Sequence, residues 1–237
     1  MTGVASGGAA GRALTVVVVG TGTDVGKTHV SSCLLAHLAA EGVAAAAFKP
    51  VATGVDPACE DAEAHARALG APVEPPAFAY KRPVSPHLAA REEGRPVELG
   101  PVVARVAALA QGREVVLVEG AGGLLSPLSD TLLNADLARA LSPPGGTGRL
   151  VLVAADRLGV LHDVRACLEA AAARGLPAPV VVLSAPPRPD ASTGSNAAEL
   201  ARVGLPAPAA VFPRATFDAA GSRAAAARLW AALRAQG

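Results

Sequence analysis

No apolar run in this 237-residue chain approaches the ~18 residues that a membrane-spanning helix needs, although 51% of its residues are hydrophobic. Charge of one sign is not in excess either. Lysine plus arginine number 21 against 20 acidic residues, a net charge of +1. That balance removes any bulk electrostatic case for nucleic acid or an anionic membrane as partner. Residues 1–13 are small and polar with one arginine, Arg12, and lack the apolar segment of a signal peptide. They are expected to form a disordered tail. Cysteine is scarce. Cys33, Cys59 and Cys167 lie far apart with no metal or redox spacing, so buried reduced thiols and a cytoplasmic protein are expected. Internal repeats and a domain linker are also missing, and the length suits one α/β domain with a substantial core.

The most informative scarcity is lysine. The chain holds only Lys27, Lys49 and Lys81, which leaves 18 of the 21 basic residues as arginine. Arginine supplies its ordinary surface charge. A retained lysine points to a place where a compact ammonium on a flexible stem fits and a planar guanidinium does not. Lys81 sits beside Arg82 in a loop-like stretch and reads as chance.

Lys27 lies in the stretch that organises the chain. Val16-Val17-Val18-Val19 reads as a strand buried on both faces. Gly20-Thr21-Gly22-Thr23-Asp24-Val25-Gly26 follows, and Lys27-Thr28 opens a helical pattern running to about Glu41. Strand, glycine-rich loop and helix are the setting of a phosphate-binding loop. Backbone N–H groups wrap a phosphate, Lys27 adds charge, and the Thr28 hydroxyl can ligate magnesium. Five residues separate Gly20 from Gly26 where the usual pattern has four. His29 and His37 lie on the helix with no partner at ligand spacing.

A second strand, Val43 to Phe48, places Lys49 at its carboxyl end, followed by a turn through Thr53 and Gly54. A third, from Val115, ends in Glu119-Gly120-Ala121-Gly122-Gly123. In open parallel sheets ligands bind outside the carboxyl ends of strands, so the phosphate loop, Lys49 and Glu119 converge on one crevice. A carboxylate such as Glu119 there suits magnesium. Between these strands lie a loop and then a helix within Asp56 to Leu69, the helix carrying Glu60, Asp61 and Glu63, a proline-rich stretch from Pro72 to Pro86, and a helix started by an N-cap Ser85 with Pro86. Further strands are expected at 149–155, 180–183 and 207–212. Helices are expected at 101–110, 132–141, up to Arg174, 196–203 and 222–236, with a proline/glycine loop at 142–148. Strands alternating with helices predict a single doubly wound α/β domain over 14–237, a mostly parallel sheet with helices on both faces. The last helix carries Leu229, Trp230 and Leu233 on one side. Packing against the domain is the expected use, and a membrane surface is the alternative.

Gly20 to Thr28, Lys49-Pro50-Val51-Ala52-Thr53-Gly54, Ser85-Pro86-His87, Glu93-Gly94-Arg95-Pro96 and Val118 to Gly123 occur in the order and separations of the dethiobiotin synthetases. The chain resembles that family nearly throughout after the tail, most densely to Asp130. The resemblance implies a P-loop NTPase-like homodimer that carboxylates 7,8-diaminononanoate with CO2 and closes the ureido ring of dethiobiotin, using ATP and Mg²⁺. It implies Thr28, Asp61 and Glu119 as magnesium ligands, Lys49 with Lys27 as catalytic residues, and Thr53, Leu161 and His162 as substrate contacts. It also implies a nucleotide site of Thr23, Asp24, Val25, Gly26, Lys27, Thr28, His29, Asp61, Glu119, Gly120, Ala121, Gly122, Ser184, Ala185, Pro213, Arg214 and Ala215. Three positions depart from the family. Gly22 replaces a frequent acidic residue, and Leu161-His162-Asp163 stands where Ile-Asn-His is common, in a segment that approaches substrate across the dimer. Ser184-Ala185 stands where Asn-Asp often reads adenine. The rival is a partitioning-type ATPase, the same fold used as a dimer switch. It predicts an extra lysine early in the loop, where Thr21, Thr23 and Asp24 stand. A regulatory GTPase would need an Asn-Lys-x-Asp motif, which the chain lacks.

Overall fold

The computed structural model describes residues 13–142 and 146–236. The expected disordered tail therefore lies, apart from Ala13, outside the described residues, as does the middle of the 142–148 loop.

Eight strands and eight helices run in the order β1 (Leu14–Gly20), α1 (Lys27–Ala40), β2 (Ala45–Phe48), β3 (Val51–Thr53), α2 (Glu60–Leu69), β4 (Phe78–Tyr80), α3 (Pro86–Glu92), α4 (Leu99–Leu109), β5 (Val115–Gly123), α5 (Asn134–Leu141), β6 (Gly148–Ala155), α6 (Val160–Ala173), β7 (Val180–Ser184), α7 (Asn196–Arg202), β8 (Ala210–Phe212) and α8 (Ala220–Ala235), among the described residues. Six strands form one sheet in the order β2-β5-β1-β6-β7-β8, and every pairing in it is parallel.

Successive side chains of a strand point to opposite faces, and the four valines of β1 divide accordingly. Val16 and Val18 pack with α1 and α8 residues such as Leu34, Leu38 and Leu229. Val17 and Val19 pack on the other face with Val102 and Val106 of α4, Leu137 of α5 and Val164 of α6. β1 is thus buried on both sides at the centre of a doubly wound α/β fold. The chain places β5 on one side of β1 and then crosses to place β6 on the other. The carboxyl end of β1 therefore lies at the switch point where such sheets bind ligands.

The structure departs from the expected elements in a few places. Val51–Thr53 and Phe78–Tyr80 pair as a separate two-stranded parallel sheet, where a turn and a proline-rich loop were expected. Three-residue strands are too short to show a period, and Pro50, Pro76 and Pro83 around them read as breakers. Ser85 occupies the N-cap of α3 but makes no capping bond to backbone; its hydroxyl lies 2.7 Å from His87 Nδ1. Cys33 and Cys167 are buried, whereas Cys59 is half-buried, so only two of the three thiols are sequestered as expected. All three are free, and burial pushes the Cys33 and Cys167 thiols up to about 11.

Leu229, Trp230 and Leu233 of α8 are buried against the sheet and α1. Its apolar side is occupied by the domain, as the commoner expectation had it. No helix among the described residues is long and apolar enough to cross a membrane. Truncating fully buried Leu229 to alanine is expected to lower unfolding stability by ~2–5 kcal/mol. Urea titration reads this directly. A loss below ~1 kcal/mol would mean that α8 does not close the core.

Candidate active site

The loop between β1 and α1 spans residues 21–26 and ends on Gly26, which takes the left-handed conformation with φ of 96°. A Cβ on Gly26 would also lie 2.3 Å from Ser184 Oγ at the end of β7. Both the backbone angle and the close approach require glycine here. Asp24 likewise has positive φ, 57°, a conformation that aspartate tolerates better than most residues. The loop is thereby held open in front of the N-terminus of α1, whose free N–H groups form an anion site.

Two adjoining cavities make one trough over this loop, with Asp24, Gly26, His29, Pro187 and Arg214 on both. The first, of 370 Å³, is lined by Asp24, Val25, Gly26 and His29, by Ser184 and Ala185 at the end of β7, and by Arg214 and Ala215 after β8. The second, of 450 Å³, runs from Thr23 and Lys27 past Thr28 to Lys49, Thr53, Asp61, Glu119, Ala121 and Gly122. The loop of backbone donors at the border of the two suits a phosphate group.

At the far end the end of β2, the middle of β5 and the first turns of α1 and α2 meet around a buried charge cluster. The carboxylate of Glu119 is fully buried, and Lys49 is 5% exposed. Lys49 Nζ lies 2.8 Å from Glu119 Oε1 and 2.7 Å from Asp61 Oδ2, and it also donates to the Gly120 carbonyl at 3.3 Å. Thr28 Oγ1 is 2.6 Å from Asp61 Oδ1 and 3.0 Å from Glu119 Oε1. Burial disfavours the Lys49 ammonium, but Glu119 and Asp61 outweigh it and raise its pKa above the ordinary lysine value. Burial also pushes the Glu119 carboxyl up, and Lys49 and His65 more than offset this, holding it well below the usual carboxylate range. Lys27, the loop lysine, donates to the Gly22 carbonyl at 3.1 Å. Its pKa is lowered, first by burial and then by the neighbouring Lys49.

The donor set fits a hard divalent cation. A positive charge already sits between two carboxylates with a hydroxyl beside them, and all the donors are oxygens. No group of three His, Cys, Asp and Glu side chains that could hold a metal occurs among the described residues. The set of Thr28, Asp61 and Glu119 has two carboxylates only, which suits an ion that keeps waters and phosphate oxygens in its shell.

Most of the expected site residues are thus brought together. Gly120 contributes its carbonyl to Lys49. Pro213 does not line the trough; its carbonyl accepts from His29 Nε2 at 2.9 Å, so His29 is tied to the β8 loop rather than free. Burial lowers its pKa. Leu161 and His162 are not brought to the trough. They lie on the first turn of α6, Leu161 half-buried against the core and His162 exposed. Sequence reasoning missed two residues. His65 Nε2 lies 2.9 Å from Glu119 Oε2; its spacing of four from Asp61, which shares a helix face, was a usable signal. Asn134 at the start of α5 donates to the carbonyls of Ala121 and Gly123 at 2.6 and 2.9 Å and holds the glycine turn after Glu119; nothing local marked it.

A phosphate loop at the switch point of a parallel sheet, with lysines and carboxylates at its mouth, defines a P-loop nucleotide-binding α/β protein. Residues 14–220 match the family model described as an AAA domain. The chain is 39% identical to the ATP-dependent dethiobiotin synthetase BioD of Caulobacter vibrioides over 70% of its own length and 78% of that protein. It is 41% identical to the BioD of Anaeromyxobacter dehalogenans over 83% and 88% respectively. Among solved structures, chloroplast FtsY from Physcomitrella patens superposes with a TM-score of 0.54 at 18% identity, covering 92% of this chain and 66% of that one, a likeness of fold alone. The chain belongs to the ATP-dependent dethiobiotin synthetase family and is an enzyme of that kind, a ligase.

Gly26→Ala is expected to destabilise the protein by at least ~1–2 kcal/mol from the left-handed backbone alone, with nucleotide binding lost. Adding Ser184→Gly should recover the steric part but not the backbone part. Thermal unfolding of the two variants separates them. Full recovery would show that φ at this position carries no constraint.

Proposed function

We propose that the protein catalyses the ATP- and Mg²⁺-dependent carboxylation of 7,8-diaminononanoate with CO2 and its closure to dethiobiotin, a step of biotin biosynthesis, as a cytoplasmic homodimer whose domain spans 14–237. The observation that carries the reading is the position of Lys49: a buried ammonium between Asp61 and Glu119, at the same trough as the phosphate loop. The family relationship narrows the chemistry that such a site performs.

The residues have complementary tasks. Backbone N–H groups of the 21–26 loop and Lys27 hold the triphosphate. Thr28, Asp61 and Glu119 would hold Mg²⁺, which when bound would neutralise phosphate charge. Thr53, half-buried at the trough's far end, contacts the diamine. One amine of the substrate adds to CO2, losing a proton, and gives a carbamate. A carbamate oxygen attacks the γ-phosphorus and displaces ADP, forming a carbamic–phosphoric anhydride. The second amine attacks the carbonyl carbon, loses a proton, closes the ring and expels phosphate. Negative charge gathers between carbamate and γ-phosphate, where Lys49 and Lys27 converge. Positioning and electrostatic stabilisation are what such a transfer requires, with no covalent enzyme nucleophile. Leu161 and His162 serve this scheme only from a second copy of the chain.

ADP release by the purified protein with Mg²⁺, bicarbonate and ATP should depend on the diamine and yield a product of dethiobiotin mass. Release without that dependence would sink the substrate assignment. Lys49→Ala is expected to lower turnover ~10²–10³-fold while leaving nucleotide binding largely intact. Undiminished turnover, or loss of ATP binding in that variant, would contradict its role.

Ser184 and Ala185 line the base end of the trough in place of an amide and a carboxylate, and the Ala185 N–H is already committed to the Phe212 carbonyl at 2.9 Å. One missing hydrogen bond is worth ~0.5–1.5 kcal/mol, so GTP should support turnover within about tenfold of ATP. A preference for ATP well beyond that would reject the idea of a permissive base pocket.

A further inference from the structure

The cation site proposed above uses the two carboxylates differently. Asp61 turns both oxygens into the trough, Oδ1 toward Thr28 and Oδ2 toward Lys49. Glu119 turns only one. Its Oε1 meets Lys49 and Thr28, while its Oε2 points away and meets His65 Nε2 at 2.9 Å. His65 is fully buried. It lies four residues after Asp61 on α2, so the two share a face of that helix.

An ionised carboxylate only accepts hydrogen bonds, so Nε2 carries the proton and donates to Oε2. The other ring nitrogen, Nδ1, is buried with no hydrogen-bond partner among the described residues. The imidazole therefore has one polar tie, and it goes to Glu119. An apolar side chain of similar size would leave no ring nitrogen unpaired, but it would strip the buried Glu119 Oε2 of its one donor. The imidazole's one polar task is therefore what it does to Glu119.

Resting on the reading of Thr28, Asp61 and Glu119 as magnesium ligands, we infer that His65 is a positioning residue that fixes the Glu119 carboxylate so that a single oxygen faces the cation. It acts in two ways. The Nε2–H bond occupies Oε2 and stops the carboxylate from turning. It also ties β5, which carries Glu119, to α2, which carries Asp61, so that the two ligands keep a constant separation. Partners of this kind set the orientation of metal ligands and commonly alter metal affinity by ~10–100-fold when removed.

The test is direct binding of Mn²⁺ as a probe for the divalent site, read as loss of the free-ion electron paramagnetic resonance signal in the presence of a non-hydrolysable ATP analogue. Wild type, His65→Leu, His65→Gln and Glu119→Gln are compared, with metal-free analogue binding in EDTA as the control for an intact fold. His65→Leu is expected to weaken Mn²⁺ binding ~10–100-fold and to lower the melting temperature, because Oε2 loses its donor, while metal-free analogue binding by the folded protein stays at wild-type level. His65→Gln, whose amide can donate to Oε2, is expected to recover part of the loss. Mn²⁺ affinity unchanged in His65→Leu but weakened in Glu119→Gln overturns the role of His65 and leaves the cation site standing. Affinity unchanged in Glu119→Gln overturns the cation site itself. Metal-free binding lost in parallel with Mn²⁺ in both His65 variants would assign His65 to folding instead and also overturn the inference.

Discussion

A carboxylate with no exposure to water has to be compensated by its neighbours, and the compensation of Glu119 dictates much of what surrounds it. An isolated buried carboxylate would neutralise rather than stay charged. Lys49, His65 and Thr28 supply the compensation from the end of β2, from α2 and from α1. These elements come together through a charge that none of them could host alone. Such pairs are a weak source of net stability. Their value lies in holding an ammonium and a carboxylate at a set distance before any ligand arrives, which is the preorganisation that phosphoryl and acyl transfer demand.

The sheet makes that gathering possible. Because β5 and β6 flank β1 on opposite sides, the loop after β1 opens into a crevice with strand ends on either hand. The phosphate loop and Lys49 follow the carboxyl ends of β1 and β2, and Glu119 lies midway along the neighbouring β5, which runs on to Gly123. The remaining wall, from Ser184 and Ala185 to Arg214 and Ala215, comes from β7 and β8 on the far side. A nucleotide laid along this trough would span the sheet from one half to the other, with its reactive end at the buried cluster.

Much of this was legible before folding. Four consecutive β-branched valines read as a strand covered on both faces, and a glycine-rich loop before Lys27-Thr28 points to its ligand class. The scarcity of lysine separated Lys49 from eighteen arginines with no structural information at all. What escaped were features without a local pattern. β3 and β4 are three residues each and lie among prolines. Ser85 looked like a helix cap because the choice between backbone and His87 as its partner is made by side-chain geometry. Cys59 looked buried because burial of a thiol depends on what packs over it. Asp61 was visible as an acidic residue at a helix start, indistinguishable there from a partner of the helix dipole.

The sequence alone determined the alternation of strands and helices, the phosphate loop, and which few residues had the chemistry for an active site, because periodicity, glycine placement and composition are properties of neighbouring residues. The tertiary structure decided how they combine. It buried Glu119 completely, set Lys49 between two carboxylates, committed His29 to the Pro213 carbonyl, and brought His65 to the hidden oxygen of Glu119. It also kept Leu161 and His162 away from the trough. Residues 28, 49, 61, 65 and 119 meet only when a parallel sheet and the two helices α1 and α2 bring distant segments together, and electrostatic compensation in a buried place is a property of that meeting rather than of any stretch of chain.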